Sequence, residues 1–542
     1  MDYQQSPQSG RRAIGAPTSM AVALGALALL AACAHGDAVR EPDAAQAQAV
    51  SPAQRCAALV DGVLGAGAAQ VTDATLVPAS APQPEHCLMH VRLADSSLRL
   101  EARLPTAGWN RKLVFLGGGG FDGMFTAPNQ PYLSTSIRAE RYATIATNGG
   151  YDFPGPFGPD YFKAAFAYDS RQLVDFTFQS EHRALPFGKA LIAKYYGTAP
   201  ERSYFEGCSM GGHDALVQAQ RFPDDFDGIV ARAPAGNIMG LMLQFQRIGS
   251  RTRQPGASLG AAEQALLAKA VLLQCDRLDG AADGIIADPA RCAFDPAPLR
   301  CPGGADAGDT CLSDLQLATV AMITAPTATA DGAWSHPGYP WGGEDSAKGW
   351  GEYMWPAAAL GGASLQALFS DGFVRSFVTR DPAFDTATWR ADEWRASLDL
   401  VGSLFNADDP DLSALHAKGA KLILWNGTTD SSVSVRDTVR YYERVVAALG
   451  QAQADASVEL FLAPGVGHCF GGAGPDQVDL LRALDAWVER GTAPSAQDLV
   501  LRKLDAAGAT LSSRPLCKYP AYARYRGTGD INDARHFDCT TQ

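Results

Sequence analysis

The stretch Tyr204-Phe205-Glu206-Gly207-Cys208-Ser209-Met210-Gly211-Gly212 constrains this chain more than any other. It reads Gly-x-Ser-x-Gly. An apolar run precedes it, and a helix-like run from His213 to Arg221 follows. Strand, sharp turn and helix in that order hold a serine hydroxyl out over the end of a sheet. The glycines are needed because side chains would clash around so strained a turn. A bare Gly-x-Ser-x-Gly is a weak signal, since long chains contain one by chance. The flanking strand and helix, and the cysteine beside the serine, give it weight.

The rest of the chain repeats the alternation. Lys112-Leu113-Val114-Phe115-Leu116 reads as a short strand running into Gly117-Gly118-Gly119-Gly120. Such a run supplies either an oxyanion-hole amide or a flexible turn. Tyr142 to Thr147 reads as a buried strand. Residues 171–196 carry apolar positions at helical spacing, and Gly228-Ile229-Val230-Ala231 is the next strand. From about Asn237 to Leu415 the pattern stops, and the chain is rich in Gly, Pro, Asp and Trp. It resumes with the strand Lys421–Trp425, a helix from Val435 to Leu449, a strand from Val458 to Leu462 and a helix from about Pro475 to Arg490. This spacing predicts an α/β-hydrolase fold whose parallel sheet is split by a large lid. The expected parts are 54–236 and 416–542 for the core and 237–415 for the lid.

In this fold the order is serine, then acid, then histidine. Asp430 sits on a loop just past the strand Leu422–Trp425, and His468 on a loop past Val458–Leu462. Of nine histidines only His468 and His536 follow Asp430. The rival acid, Asp437, falls inside a helix. The expected chemistry is acyl transfer, with Ser209 as nucleophile, His468 as base and acid, and Asp430 orienting the imidazole. Gly117 and Met210 are the expected oxyanion donors.

The N-terminus reads as a targeting segment. Arg11 and Arg12 precede a short apolar run from Met20 to Ala32, too short to span a membrane. It ends Leu30-Ala31-Ala32-Cys33. Small residues before a cysteine fit a lipoprotein leader (1–33) with Cys33 as lipid anchor; an ordinary signal peptide cut near Ala32 or Ala34 is the alternative. Residues 34–53 read as a flexible tether. Localisation is then periplasmic, outer-membrane-anchored or secreted. The net charge of −13, with no basic block, argues against a nucleic-acid partner. Without Cys33, the eleven cysteines leave an even set, which suits five disulfides in an exported chain. Proximity suggests Cys56–Cys87, Cys275–Cys292, Cys301–Cys311 and Cys517–Cys539. Cys208 and Cys469 remain.

Cys208-Ser209, Asp430 and His468-Cys469 together resemble the tannase and feruloyl esterase family. So do Arg221-Phe222-Pro223, Phe226 to Val230, Gly467 to Gly472 and Gly527 to Asn532. The resemblance covers the chain from about Cys56 to Cys539. It implies a disulfide between Cys208 and Cys469, and an esterase acting on small aromatic esters such as feruloyl, hydroxycinnamoyl or galloyl esters.

Cys275-Asp276-Arg277-Leu278-Asp279-Gly280-Ala281-Ala282-Asp283-Gly284-Ile285 is either a solvated acidic turn or a site for a hard cation. The resemblance implies structural Ca²⁺ held by Asp276, Asp279 and Asp283 with the carbonyls of Ala281 and Ile285. No organic cofactor is expected. The lid aromatics, Tyr353 and Phe373 among them, either stack on a planar acyl group or form lid core. The chain departs from the family at Met210, His213 and Arg232. A relative that cleaves a terephthalate half-ester carries a carboxylate-binding Arg a few residues before a Gly-Phe pair; if Gly372-Phe373 is that pair, Phe369 stands at the Arg position, with Arg375 nearby. Neutral aromatic esters are therefore preferred over the charged half-ester. A serine peptidase of the same fold and a non-catalytic binding protein are the competing classes. No histidine pair at ligand spacing supports a metal-dependent hydrolase.

Overall fold

The computed structural model describes residues 50–155 and 158–542. The expected leader, Cys33 and most of the tether lie outside the described residues.

Ten strands form the main sheet: β1 (Val63–Leu64), β2 (Ala69–Val77), β3 (His86–Leu93), β4 (Arg99–Pro105), β5 (Lys112–Leu116), β6 (Ala143–Thr147), β7 (Arg202–Cys208), β8 (Gly228–Arg232), β9 (Lys421–Gly427) and β10 (Val458–Ala463). Their order is β1-β2-β3-β4-β6-β5-β7-β8-β9-β10. From β6 to β10 every neighbouring pair is parallel, and β1 to β4 add an antiparallel edge. The central strands are buried and largely apolar because both sheet faces are covered. Phe115, Ile145, Phe205, Ile229 and Leu424 pack on one face. Val114, Ala146, Tyr204, Val230 and Trp425 pack on the other. This is the period-2 alternation of a strand, read from two buried sides.

The helices that matter for the site are α1 (Ser180–Tyr196), α2 (Met210–Arg221), α3 (Ile238–Thr252), α4 (Leu365–Phe373), α5 (Val435–Leu449) and α6 (Leu480–Arg490). Helix α6 starts later than the apolar spacing predicts. Asp479 caps it, accepting from the Arg482 amide at 3.0 Å, and the same carboxylate holds Ser136. The residues before it are therefore fixed as cap and loop.

Strand β8 pairs directly with β9, from Gly228 opposite Lys421 to Arg232 opposite Trp425. The long segment between them adds no strand to the main sheet. Among its described residues the only paired strands are Thr327–Ala328 and Ser335–His336. It supplies α3 and α4, which reach the Ser209 end of the sheet, and further helices that include Ala261–Cys275, Asp314–Thr324 and Arg395–Phe405. Two hairpins close the chain, Val500–Leu504 with Thr510–Pro515 and Tyr522–Tyr525 with Phe537–Thr540.

All five disulfides form between the expected partners: Cys56–Cys87, Cys208–Cys469, Cys275–Cys292, Cys301–Cys311 and Cys517–Cys539. So many crosslinks belong to a chain that matures in an oxidising compartment. Among the described residues no helix is long and apolar enough to cross a membrane.

Under the sheet end lies a buried ion pair. Arg232 Nε donates to Glu206 Oε1 at 2.9 Å. Its Nη2 reaches Ser134 Oγ at 3.3 Å and the Val478 carbonyl at 3.1 Å. Both side chains are almost wholly inaccessible. Glu206 Oε2 has no partner among the described residues.

Candidate active site

Ser209 stands between β7 and α2 with φ +64° and ψ −117°. A non-glycine residue in that region is strained, and the surrounding structure must hold it there. Its amide donates to the Arg232 carbonyl at 3.1 Å, and its carbonyl accepts from the amides of His213 at 2.9 Å and Ala235 at 3.3 Å. The flanking glycines let backbones meet. A Cβ on Gly207 would lie 2.5 Å from the Gly211 oxygen, and one on Gly211 would lie 2.7 Å from the Gly118 oxygen.

Beyond β9, Asp430 is 2% exposed. Its Oδ1 accepts from the amides of Ser432 at 2.8 Å and Val433 at 2.9 Å. Its Oδ2 accepts from His468 Nδ1 at 2.9 Å. This bond fixes the tautomer and points Nε2 away from Asp430. The rival Asp437 is inside α5. It accepts from Asn237 Nδ2 at 3.2 Å and lines a separate polar crevice with Arg440 and Arg444, which contains none of Ser209, Asp430 or His468.

Burial works to lower the pKa of His468, but the Asp430 charge and hydrogen bond and the nearby Glu352 outweigh it. The net shift is upward, with Lys348 opposing. The disulfide Cys208–Cys469 joins the residue before Ser209 to the residue after His468, across 261 positions of sequence. It fastens the serine turn to the histidine loop.

Ser209 opens into a cleft with neutral walls. Gly120 and Phe121 come from the glycine run, and Met210 from the turn. Ala235 and four residues of α3 (Ile238, Leu241, Met242, Phe245) form one side, and Tyr353, Phe369 and Ser432 the other. The Tyr353 ring meets the His468 ring edge-on at 5.2 Å. Phe369 of α4 packs edge-on against Phe121 at 5.1 Å.

Two expected site residues lie elsewhere. Gly117 cannot donate to an oxyanion, because its amide is spent on the Glu206 carbonyl at 3.0 Å, extending the β5–β7 ladder by one rung. Gly120 is the member of the run that reaches the cleft, so sequence reasoning chose the wrong end of it. Phe373 does not line the cleft. It is 1% exposed and stacks on Phe377 at 5.4 Å, whereas Phe369, one helical turn earlier, takes the pocket position. Trp341, Trp350 and Trp355 are insertion core. Arg375 is also outside the cleft, its Nε donating to the Phe384 carbonyl at 3.0 Å.

In the acidic turn, Asp276 Oδ1 accepts from the amides of Asp283 at 3.2 Å and Gly284 at 3.0 Å. Asp279 Oδ1 accepts from the Ala281 amide at 2.9 Å, and Asp283 pairs with Arg514. Ile285 donates its amide to Asp283 Oδ1 at 3.0 Å. Burial first, then the charges of Asp283 and Asp276, push Asp279 up to about 7. Among the described residues no group of three or more His, Cys, Asp or Glu converges as a metal-holding cluster.

A parallel sheet with a strained serine on the strand-to-helix turn at its C-terminal edge defines an α/β-hydrolase. Comparison with known proteins narrows the class. A family model described as tannase and feruloyl esterase matches residues 88–540. The chain is 32% identical to mono(2-hydroxyethyl) terephthalate hydrolase of Piscinibacter sakaiensis, over 89% of this chain and 91% of that one. It is 30% identical to feruloyl esterase B of Aspergillus niger, over 83% and 85% of the two chains. The crystal structure of feruloyl esterase B from Aspergillus oryzae superimposes with a TM-score of 0.78 at 26% identity, covering 90% of this chain and all of that one. The protein belongs to the tannase and feruloyl esterase family and is a carboxylic ester hydrolase.

Proposed function

We propose that this esterase cleaves neutral esters of aromatic acids through a Ser209–His468–Asp430 triad and an acyl-enzyme. One observation carries the reading: Ser209 and a wholly uncharged, aromatic- and methionine-lined wall share one cleft, with Tyr353 against the ring of His468. His468 takes the Ser209 proton and returns it to the leaving alcohol, and Asp430 stabilises the imidazolium. The amides of Met210 and Gly120 receive the oxyanion. Met210 opens α2, where the first amides of a helix have no partner within it.

A terephthalate half-ester is the second reading, favoured by the identity to the Piscinibacter enzyme. The cleft argues against it, since among the described residues no cationic side chain lines it and a buried carboxylate without a partner is costly. Hydrolysis of methyl ferulate, methyl gallate, mono(2-hydroxyethyl) terephthalate and p-nitrophenyl acetate decides. Methyl ferulate or methyl gallate is expected to turn over best. Faster turnover of the half-ester would reverse the order, and turnover of p-nitrophenyl acetate alone would discard aromatic specificity.

The acid side of the pH profile follows from His468, which must be neutral to accept a proton. Its pKa is raised, so kcat/KM is expected to fall with a midpoint above 6.5 as the pH drops. Glu352→Gln removes a charge that raises this pKa and moves the midpoint down, whereas Lys348→Met moves it up. Unmoved midpoints in both would remove Glu352 and Lys348 from the electrostatics of the site.

We read the turn from Asp276 to Ile285 as a structural Ca²⁺ site. The short spacing of Asp276, Asp279 and Asp283 and the resemblance to the family support this; hard oxygen donors suit the ion. Saturation at about 100 times Kd is worth roughly 2.7 kcal/mol. Chelation is therefore expected to lower the Tm by a few degrees, reversibly on adding Ca²⁺. A Tm indifferent to chelator, with no binding heat, would end this reading. We also read Cys33 as a lipid anchor, which mass spectrometry of the mature N-terminus tests.

A further inference from the structure

Several backbone groups of the glycine run are held in place. Gly118 O accepts from the Gly211 amide at 3.1 Å, and the Gly118 amide faces the Asp214 carboxyl on α2. The Gly119 amide donates to Asp122 Oδ1 at 2.6 Å. The Asp122 amide returns a bond to the Gly119 carbonyl at 2.9 Å. Tyr161 Oη donates to the Gly119 carbonyl at 3.1 Å and accepts from the Phe121 amide at 2.6 Å. Tyr151 Oη donates to the Phe121 carbonyl at 2.7 Å. The Gly120 amide has no partner among the described residues, and Gly120 lines the cleft beside Ser209.

Two buried carboxyls hold this arrangement. Asp122 and Asp214 are 5% and 3% exposed. A carboxylate at such depth is normally paired with a cation. Here the carboxyl neighbours are each other and Glu181, with His213 beside Asp214 and Tyr132, Tyr151 and Tyr161 facing Asp122, while Arg183 is paired with Asp175. Asp122 also takes φ +52°, a conformation a non-glycine residue keeps only when its surroundings enforce it.

His213 fixes the proton on Asp214. Its Nε2 lies 2.7 Å from the Phe405 carbonyl, which can only accept, so Nε2 carries a hydrogen. Burial lowers the ring's pKa to about 4, which keeps it neutral and leaves Nδ1 as a lone pair. Asp214 Oδ1 lies 3.2 Å from Nδ1. A bond between two such acceptors requires a proton, and Asp214 supplies it as the neutral acid. A carbonyl at the end of the insertion, His213, Asp214 and the glycine run are thus one connected chain.

We propose that Asp122, which clasps the Gly119 amide, and Asp214, which faces the Gly118 amide, are positioning residues, so that of the run's amides the Gly120 one joins that of Met210 at the oxyanion of an ester attacked by Ser209. This rests on the serine-esterase reading above. It gives a role to His213-Asp214 on α2 that sequence reasoning did not assign.

The test compares Asp122→Ala, Asp122→Asn and Asp214→Asn, reading Tm and, with p-nitrophenyl acetate, kcat and KM separately. Asp122→Ala is expected to lower kcat by about 100- to 1,000-fold, the effect of a lost oxyanion donor. Its KM should stay within about threefold, since a displaced donor acts in the transition state. Asparagine at 122 still accepts from Gly119, and at 214 still donates to His213. Both variants should therefore stay within about tenfold of wild type. A folded Asp122→Ala with kcat within about threefold of wild type overturns the proposal, as does an Asp122→Asn as impaired as the alanine variant. If Asp122→Ala does not fold, Asp122→Ser replaces it under the same criteria. If neither folds while Asp122→Asn matches wild type, the carboxyl serves the fold and the proposal fails. Ser209→Ala is the control: turnover surviving in it would sink the esterase mechanism instead.

Discussion

Ser209→Ala is expected to lower kcat by about 10⁴- to 10⁶-fold, the range found when a triad nucleophile is removed. The Tm should barely move. The Ser209 side chain caps no amide of α2, and alanine meets the same strain at φ +64°. A surface-like change of this kind is worth within about 0.5 kcal/mol. Loss of rate with unchanged stability separates a nucleophile from a residue that merely supports the turn. The wild type should also give a burst of p-nitrophenol and a trapped acyl mass on the peptide that carries Ser209. Residual activity within about tenfold of wild type, with the burst retained, would place the nucleophile elsewhere.

Arg232→Met is expected to cost about 3–5 kcal/mol, because breaking a buried pair leaves its partner charged and alone. Glu206 is at the centre of the sheet, and Oε2 already has no partner among the described residues. The sign of the pH dependence follows. Burial raises the Glu206 pKa above 4.5 even with Arg232 present. A raised carboxyl pKa favours folding at pH below the unfolded value, and that contribution disappears as pH rises through the folded one. Removing Arg232 widens this window, so Arg232→Met should lose more stability at pH 8 than at pH 5. The double variant Arg232→Met with Glu206→Gln should regain most of the loss, because no charge is then stranded. Denaturant melts of the three proteins at both pH values test this. Equal losses in the single and double variants would mean that Arg232 acts through packing on Trp425, which its guanidinium overlies at 5.4 Å. Activity should fall with stability, since the Arg232 carbonyl receives the Ser209 amide.

The parts of the site legible in the sequence are those whose chemistry is local. Ser209 announces itself by strand, glycine turn and helix. Asp430 and His468 follow strands whose apolar runs are unambiguous, and β9, β10 and α5 begin where the sequence places them. Gly117 and Phe373 went wrong for one reason: Gly120 and Phe369, a few positions away, are residues of the same type. Which glycine in a run of four faces the cleft depends on where the β5–β7 ladder stops, and that is set by Glu206, far along the chain. Which phenylalanine of α4 faces it depends on how the insertion settles over Ser209. Arg232 stood out as a departure, yet its partner on the adjacent strand appears only once β7 and β8 are in register. The antiparallel edge strands β2 to β4 alternate polar with apolar residues, and the closing hairpins are short, so neither stands out as an apolar run.

The position of the insertion also bears on how the chain reaches its final state. β8 lies between β7 and β9, and all five of its residues are buried. During synthesis it emerges long before its partner. Until the entire insertion has followed and β9 arrives, the growing sheet ends in an unprotected apolar edge, the kind that pairs with other chains. A product that stops at residue 420 would hold Ser209 but neither Asp430 nor His468, and should aggregate through that edge. Ester turnover then reports more than chemistry: only a molecule synthesised to its second half, and closed on itself, can register in the assay.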